Sequence, residues 1–299
     1  FDDVEGCFSL MNPGDGSRFS GIRENVIPSV RVVEDGPVRV QIEAVLAYKD
    51  SRACITYRIP RKGTEVEVEF RVFWNEKGRM LKLAVPAAFA KPAYLAQVAW
   101  GVEEMPTDGK ECVAQQWGLL TDGEAALSLI NDGTYGSDAS RGALRVSLIR
   151  SAGYSALPTS LDPPMRQDRF ATRIDQGERR FTFWLNGGAK AERLAKLDRE
   201  AQVRHEKPFY VPIFPASGGE RPLPLMELEG EGVTVTALKQ AEDGKAYILR
   251  LYNGGGQPVR AKTRFPVWNL EYAAEMTPYQ ARTFRIEGRE IRETNIMEG

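Results

Sequence analysis

The feature that most constrains this chain is a two-residue alternation of apolar and polar side chains that recurs through most of its length. It is clearest where Val38, Val40, Ile42, Ala44 and Leu46 interleave with Arg39, Gln41 and Glu43. Successive side chains of an extended strand point to opposite faces, so this spacing predicts a strand with one buried and one wet face. Ile55, Tyr57 and Ile59 repeat the pattern, and Val66, Val68, Phe70, Val72 and Trp74 are set against Glu65, Glu67, Glu69 and Arg71. Between these two runs, Arg61-Lys62-Gly63 supplies the turn of a hairpin. Further strands are predicted over 125–130, 144–149 and 180–185, each bounded by Gly, Asp or Asn. The alternation resumes at Val233, Val235 and Ala237, at Tyr247, Leu249 and Leu251, and at Val259, Ala261, Thr263 and Phe265. One wet face per strand means antiparallel sheets packed on one another, not a parallel sheet buried under helices.

Only residues 189–204 carry helical spacing, with Leu194, Leu197, Ala201 and Arg204 three and four apart among Lys, Glu and Arg. The simplest reading is a surface helix or connector. Downstream, Pro208, Pro212, Pro215, Pro222 and Pro224 surround Ser217-Gly218-Gly219, a composition that neither a helix nor a central strand accepts. The sequence therefore predicts an all-β protein in three parts. A large antiparallel sandwich domain over 1–206 ends in the helix near 189–204, a Pro-rich linker covers 207–224, and a smaller β-sandwich covers 225–299. No repeat of fixed period is present, which disfavours solenoids and propellers.

The chemistry open to such a chain is narrow, because its 299 residues include one His and three Cys. His205 alone cannot build a metal site of several imidazoles, a paired-histidine shuttle, or a Ser-His-Asp relay with an imidazole to spare. Catalysis within the chain would have to run on carboxylates, Lys, Tyr or Arg. The acidic pairs Asp2-Asp3, Glu34-Asp35, Glu103-Glu104 and Glu242-Asp243 lie beside Gly, Pro or strand boundaries and read as solvated turn residues. With 40 Lys+Arg against 41 Asp+Glu and no basic stripe, nucleic acid is not an expected partner. No apolar run approaches the roughly 20 residues that span a bilayer, and the stretch 83–89 is broken by Pro86, so no membrane partner is expected. Cys7, Cys54 and Cys112 are widely spaced without a C-x-x-C pair, which argues against a disulfide framework or zinc ribbon and points to a reducing, cytoplasmic compartment. Gly254-Gly255-Gly256 lacks the frame of a phosphate-binding loop and reads as a hairpin turn. The five Trp are scattered through separate segments and read as core residues.

One string stands apart. Asn131-Asp132-Gly133-Thr134-Tyr135-Gly136-Ser137-Asp138 is a polar loop between two predicted strands, a composition suited to hydrogen-bonding a polyol at a sheet edge. Asp132, Thr134 and Tyr135 are the candidate substrate-binding residues, against a plain turn as the structural reading.

Several ordered strings together resemble the C-terminal β domains of glycoside hydrolase family 38, the retaining α-mannosidases. They are Glu34-Asp35-Gly36-Pro37 with the strand to Leu46, Tyr48 through Ser51, and Phe73-Trp74-Asn75-Glu76-Lys77 leading to Met80-Leu81-Lys82-Leu83. They continue with Leu129 through Gly136, Leu144 through Ser151, and Ile174-Asp175-Gln176-Gly177-Glu178 ahead of Phe181, although the family usually shows His where this chain has Arg179 or Arg180. Gly232 to Leu238, Lys239 to Asp243 and Ile248 to Asn253 complete the match, which spans residues 30–275. The resemblance implies a galactose-mutarotase-like supersandwich followed by a small sandwich, both downstream of a catalytic α/β barrel and a helical domain. In that family two His and two Asp hold zinc and an Asp is the nucleophile. A chain with one His cannot assemble that site, so no catalytic or metal-binding residue is expected here and zinc is expected in the absent catalytic domain. The sequence, starting at Phe1, reads as an excerpt that is inactive alone. Its expected partners are that barrel and helical domain, with mannosides or oligosaccharides as ligands and oligomerisation left open. The alternative is a free-standing carbohydrate-binding or adhesion sandwich. A mutarotase-like epimerase, suggested by fold analogy alone, fails on chemistry, since that mechanism resembles a paired His and Glu device and the chain's one histidine, His205, lies in a charged connector.

Overall fold

The computed structural model describes residues 6–11, 28–153, 173–210 and 223–298. Two compact units emerge from the contacts, one of 1–96 with 104–188 and one of 97–103 with 189–299. The first sandwich is built from strands β1 (Ser9–Leu10), β2 (Val30–Asp35), β3 (Arg39–Tyr48), β4 (Ser51–Pro60), β5 (Val66–Trp74), β6 (Met80–Pro86) and β7 (Ala93–Val98), the last of which runs into the 97–103 segment. These are followed by β8 (Gly101–Met105), β9 (Cys112–Val113), β10 (Trp117–Thr121), β11 (Ala125–Asn131), β12 (Gly136–Ser140), β13 (Ala143–Arg150) and β14 (Gly177–Ala189). Ten of them form one sheet in the order β1-β3-β4-β5-β14-β11-β10-β7-β8, with β2 also on β3, and β6-β13-β12-β9 form a second.

Alternation decides which face each strand buries. On β5, Val68, Phe70, Val72 and Trp74 are buried while Arg71 and Phe73 are exposed. Register carries the division across neighbours, since Val68 pairs with Tyr57 and Phe70 with Ile55. Tyr94, Leu120, Leu129 and Phe183 of the large sheet form one apolar cluster with Ala139, Leu144 and Val146 of the small one, so the two sheets close face to face as a sandwich. The four-residue turn into β4 has Lys49 at φ 46°, the left-handed conformation that a tight hairpin demands. Pro86 ends β6, as a residue without an N–H to donate should.

The second unit is also a sandwich. Its strands are β15 (Glu227–Glu229), β16 (Val233–Gln240), β17 (Tyr247–Asn253), β18 (Val259–Phe265), β19 (Leu270–Met276), β20 (Ala281–Glu287) and β21 (Glu290–Thr294). They make a three-stranded sheet β15-β18-β19 and a four-stranded sheet β16-β17-β20-β21. Leu249, Leu251, Phe284 and Ile286 meet Ala261, Phe265, Ala274 and Met276 between them. On β17 the two-residue pattern is incomplete: Ile248 is as buried as Leu249, because a second small cluster with Ala241 and Ala246 covers its other face.

The helix Lys190–His205 matches the periodicity to within a residue at each end. It groups with the second unit and not with the large sandwich to which the sequence reading attached it. The reason lies in its contacts: Gln202 Nε2 donates to the carbonyl of Val235, and the Asp198 carboxylate lies against Gly254. Gln97 reaches the same carboxylate through its amide, 2.9 Å from Asp198 Oδ1, and Trp100 stands edge-on to Tyr252 at 5.2 Å. Most of the expected linker, residues 211–222, lies outside the described residues.

Candidate functional site

The polar loop 131–138 is fastened at its root by Asn131. That side chain is buried at 3% exposure; its Nδ2 donates to the Gln115 carbonyl at 2.7 Å, and its Oδ1 accepts the backbone N–H groups of Gly133 and Thr134 at 3.0 Å each. This is an Asx turn, in which a short amide side chain stands in for a backbone carbonyl. Gly133 sits at φ 85°, where a side chain would strain the backbone. Beyond the turn, the Ala114 N–H donates to the Tyr135 carbonyl at 2.9 Å, and pairing of β12 with β9 begins at Gly136. The loop is therefore a rigid corner.

Its three sequence-predicted residues do not converge. Asp132 and Tyr135 are exposed, Tyr135 by 53%. Thr134 is half-buried and borders an internal gap of about 10 Å³ shared with Tyr94, Asn131 and Ser137, too small for anything larger than one water. Below it the Tyr94 hydroxyl and Ser137 Oγ are 2.7 Å apart, and burial pushes the Tyr94 phenol well above its ordinary value. The corner thus offers one carboxylate and one phenol to an outside ligand.

Sequence reasoning overlooked Asn131 as the residue that holds the loop and Asp138 as the group behind it. Asp138 is fully buried, with Arg145 at 2.5 Å and Lys82 on its other oxygen; Lys82 also holds Glu111, whose second oxygen accepts from Ser147. The signal for Asn131 was present in the Asn-Asp-Gly-Thr order, which favours a side-chain-to-backbone turn. For Asp138 there was none, because its cations come from β6 and β13.

The other chemical candidates are structural. Glu34 pairs with Arg39, Asp35 with Arg61, Glu242 with Lys239 and Asp243 with Arg285. Glu103 and Glu104 lie exposed within β8, not in a turn, and Asp2-Asp3 fall outside the described residues. Cys7, Cys54 and Cys112 are free thiols, and burial together with Glu43 pushes Cys54 up to about 11, leaving it protonated at neutral pH. Trp74, Trp117 and Trp184 are core residues, Trp268 stacks on Phe265, and Trp100 is 47% exposed. Among the described residues no three His, Cys, Asp or Glu side chains are grouped to hold a metal ion. No helix among them is long and apolar enough to cross a membrane.

Two β-sandwiches, the first carrying a braced polar corner, define an all-β protein of two units. Comparison with known proteins narrows it. Residues 13–160 match the glycosyl hydrolases family 38 C-terminal domain, and residues 232–299 match the glycosyl hydrolases family 38 C-terminal β-sandwich domain. Alpha-mannosidase G of Dictyostelium discoideum is 23% identical over 245 residues, which take in 76% of this chain and 21% of that protein. An α-mannosidase from Enterococcus faecalis V583 has the same fold over 89% of this chain and 36% of its own, with a TM-score of 0.71 at 16% identity. A family 38 protein from Enterococcus faecalis superposes equally well, at 17% identity. The chain belongs to glycoside hydrolase family 38, as its C-terminal β domains. It spans about a fifth of the length of the curated relative it matches.

Proposed function

We propose that this chain is the non-catalytic C-terminal portion of an α-mannosidase, where it supports the active-site cleft of a catalytic domain and presents a sugar-facing loop to it. The observation that carries this reading is that both units match C-terminal domains of one glycosidase family in order. In such an enzyme zinc and the carboxylates that break the mannosidic bond would belong to the catalytic domain, and this chain alone would not hydrolyse mannosides. Asp132, Thr134 and Tyr135 are assigned to the sugar-facing loop. The braced turn at Asn131 supports that assignment, because a loop that contributes to a cleft must hold its side chains in place before substrate arrives.

The test is Tyr135→Ala in the full-length polypeptide carrying this chain. Because Tyr135 is exposed, its removal should leave the unfolding midpoint unchanged while kcat/KM for an aryl α-mannoside falls by about tenfold or more, the loss of one good contact. Unchanged kinetics in a folded variant would overturn the loop assignment. Mannoside hydrolysis by the 299-residue chain alone would overturn the non-catalytic reading.

A further inference from the structure

The outward face of β15-β18-β19 is lined with loosely paired charges. Register sets its side chains in rows: Glu227, Arg264 and Glu271 in one, Glu229, Lys262 and Ala273 in the next, Arg260 and Glu275 in the third. The outer rows close across the strands, but loosely, with Arg264–Glu227 at 3.4 Å, Arg264–Glu271 at 3.7 Å and Arg260–Glu275 at 3.6 Å. In the middle row Ala273 has no head group to offer Lys262, which reaches diagonally to Glu271 at 3.7 Å. Glu229 has no cation within ion-pairing distance among the described residues. A shallow, open depression of about 550 Å³ lies over this row, lined by Glu229, Arg260, Lys262, Glu271, Tyr272 and Ala273.

Open and lined by charged side chains, the depression would cover one face of a ligand and not enclose it. Separations of 3.6 to 3.7 Å are too long for hydrogen bonds, so the guanidinium of Arg260 and the ammonium of Lys262 keep N–H groups for a ligand, and Glu229 keeps acceptor lone pairs. Two cations and two carboxylates on the rim cancel. An anion would meet Glu229 and Glu271, and a cation would meet Arg260 and Lys262. A neutral ligand rich in hydroxyls, which donate and accept alike, suits all four. We propose that this depression is a binding site for a neutral oligosaccharide, separate from the loop at Tyr135 and independent of the role proposed for it.

The test uses the 299-residue chain with mannobiose and maltotriose as neutral probes and glucosamine and galacturonate as charged ones. Amide NMR shifts are followed at millimolar concentration. The expected result is saturable shifts at Glu229, Lys262 and Ala273 with a neutral probe, weakened about tenfold or more by Glu229→Ala and abolished by Ala273→Phe, which sets a ring in the middle of the depression from an exposed position. Tyr135→Ala should leave these shifts unchanged. No shift with either neutral probe, shifts that survive Ala273→Phe in a variant with native circular dichroism, or stronger binding of a charged probe would each overturn the proposal.

Discussion

Charges are arranged in opposite ways on two sheet faces, one in each unit. On β4 and β5 of the first, Arg58 holds Glu67 at 2.6 Å and Glu69 at 2.9 Å and donates to Gln41, while Trp184 Nε1 donates to Glu67 at 3.0 Å. Behind the candidate loop, Asp138 is clasped by Lys82 and Arg145 with no exposure of its own. On β18 and β19 of the second, the pairs stand at 3.4 to 3.7 Å with most partners about half exposed or more. Both regions read in the sequence as alternating Arg, Lys and Glu on the wet side of a strand. Burial makes the difference: as water is excluded, the Coulomb attraction grows and so does the cost of leaving a charge unpaired. Clasped charges therefore fix local structure, whereas loose ones leave their hydrogen-bonding capacity to solvent or to a ligand.

The largest effect that sharpens this contrast belongs to Asp138→Ala. It leaves Arg145 without its carboxylate and Lys82 with Glu111 alone, beside a buried gap, and should cost about 3–5 kcal/mol of unfolding free energy in urea. A loss under 1 kcal/mol, on the order of an exposed pair, would erase the distinction between the faces. Next is Gly254→Ala, at about 2–3 kcal/mol, since a Cβ there would overlap the Asp198 carboxylate; it shows that the second unit is tightly packed away from its loose face. Combined with Asp198→Ala, the two losses should add to less than their sum. Arg58→Ala leaves Glu67 and Glu69 neighbouring without their shared cation and should cost about 1–2 kcal/mol. Arg264→Ala, on the loose face, should cost below about 0.5 kcal/mol by the same denaturation experiment. Smallest is a pH effect on the second unit. The Lys245 N–H and then Arg285 hold the Asp243 carboxyl below its ordinary value. The stability this lends is present above the ordinary carboxylate pKa and disappears as pH falls through the depressed one. Asp243→Asn should therefore lower stability slightly at neutral pH, leave it nearly unmoved in acid, and so flatten the limb between the two.

The fold was legible because its main determinant is local. Alternation on β5 and β18 states which side chains go inward, and one residue of slip would put every one of them on the wrong face. Helix 190–205 was legible for the same reason, through its three- and four-residue spacing. Its membership was not, because Gln202 finds Val235 across 33 residues and Asp198 needs the space at Gly254, neither of which is a pattern in the helix itself. The second-unit grouping of 97–103 was equally invisible from one sequence. Of the loop, Asp132, Thr134 and Tyr135 were read alike as candidate substrate-binding residues; Asp132 and Tyr135 are exposed, whereas Thr134 is half-buried. The difference follows from the Asx turn, which bends the chain between them.

Sequence by itself determined that this is an all-β protein of two sandwiches with one helix, and that its single histidine forbids several mechanisms within the chain. It determined the family as well, through strings whose order and spacing are properties of the linear chain. Tertiary structure alone decided which charges are clasped and which are loose, because an arginine on a wet strand face reads the same whether its carboxylate lies 2.6 or 3.7 Å away. It alone decided that a depression lies over the row of Ala273, since only register sets longer side chains around that small residue.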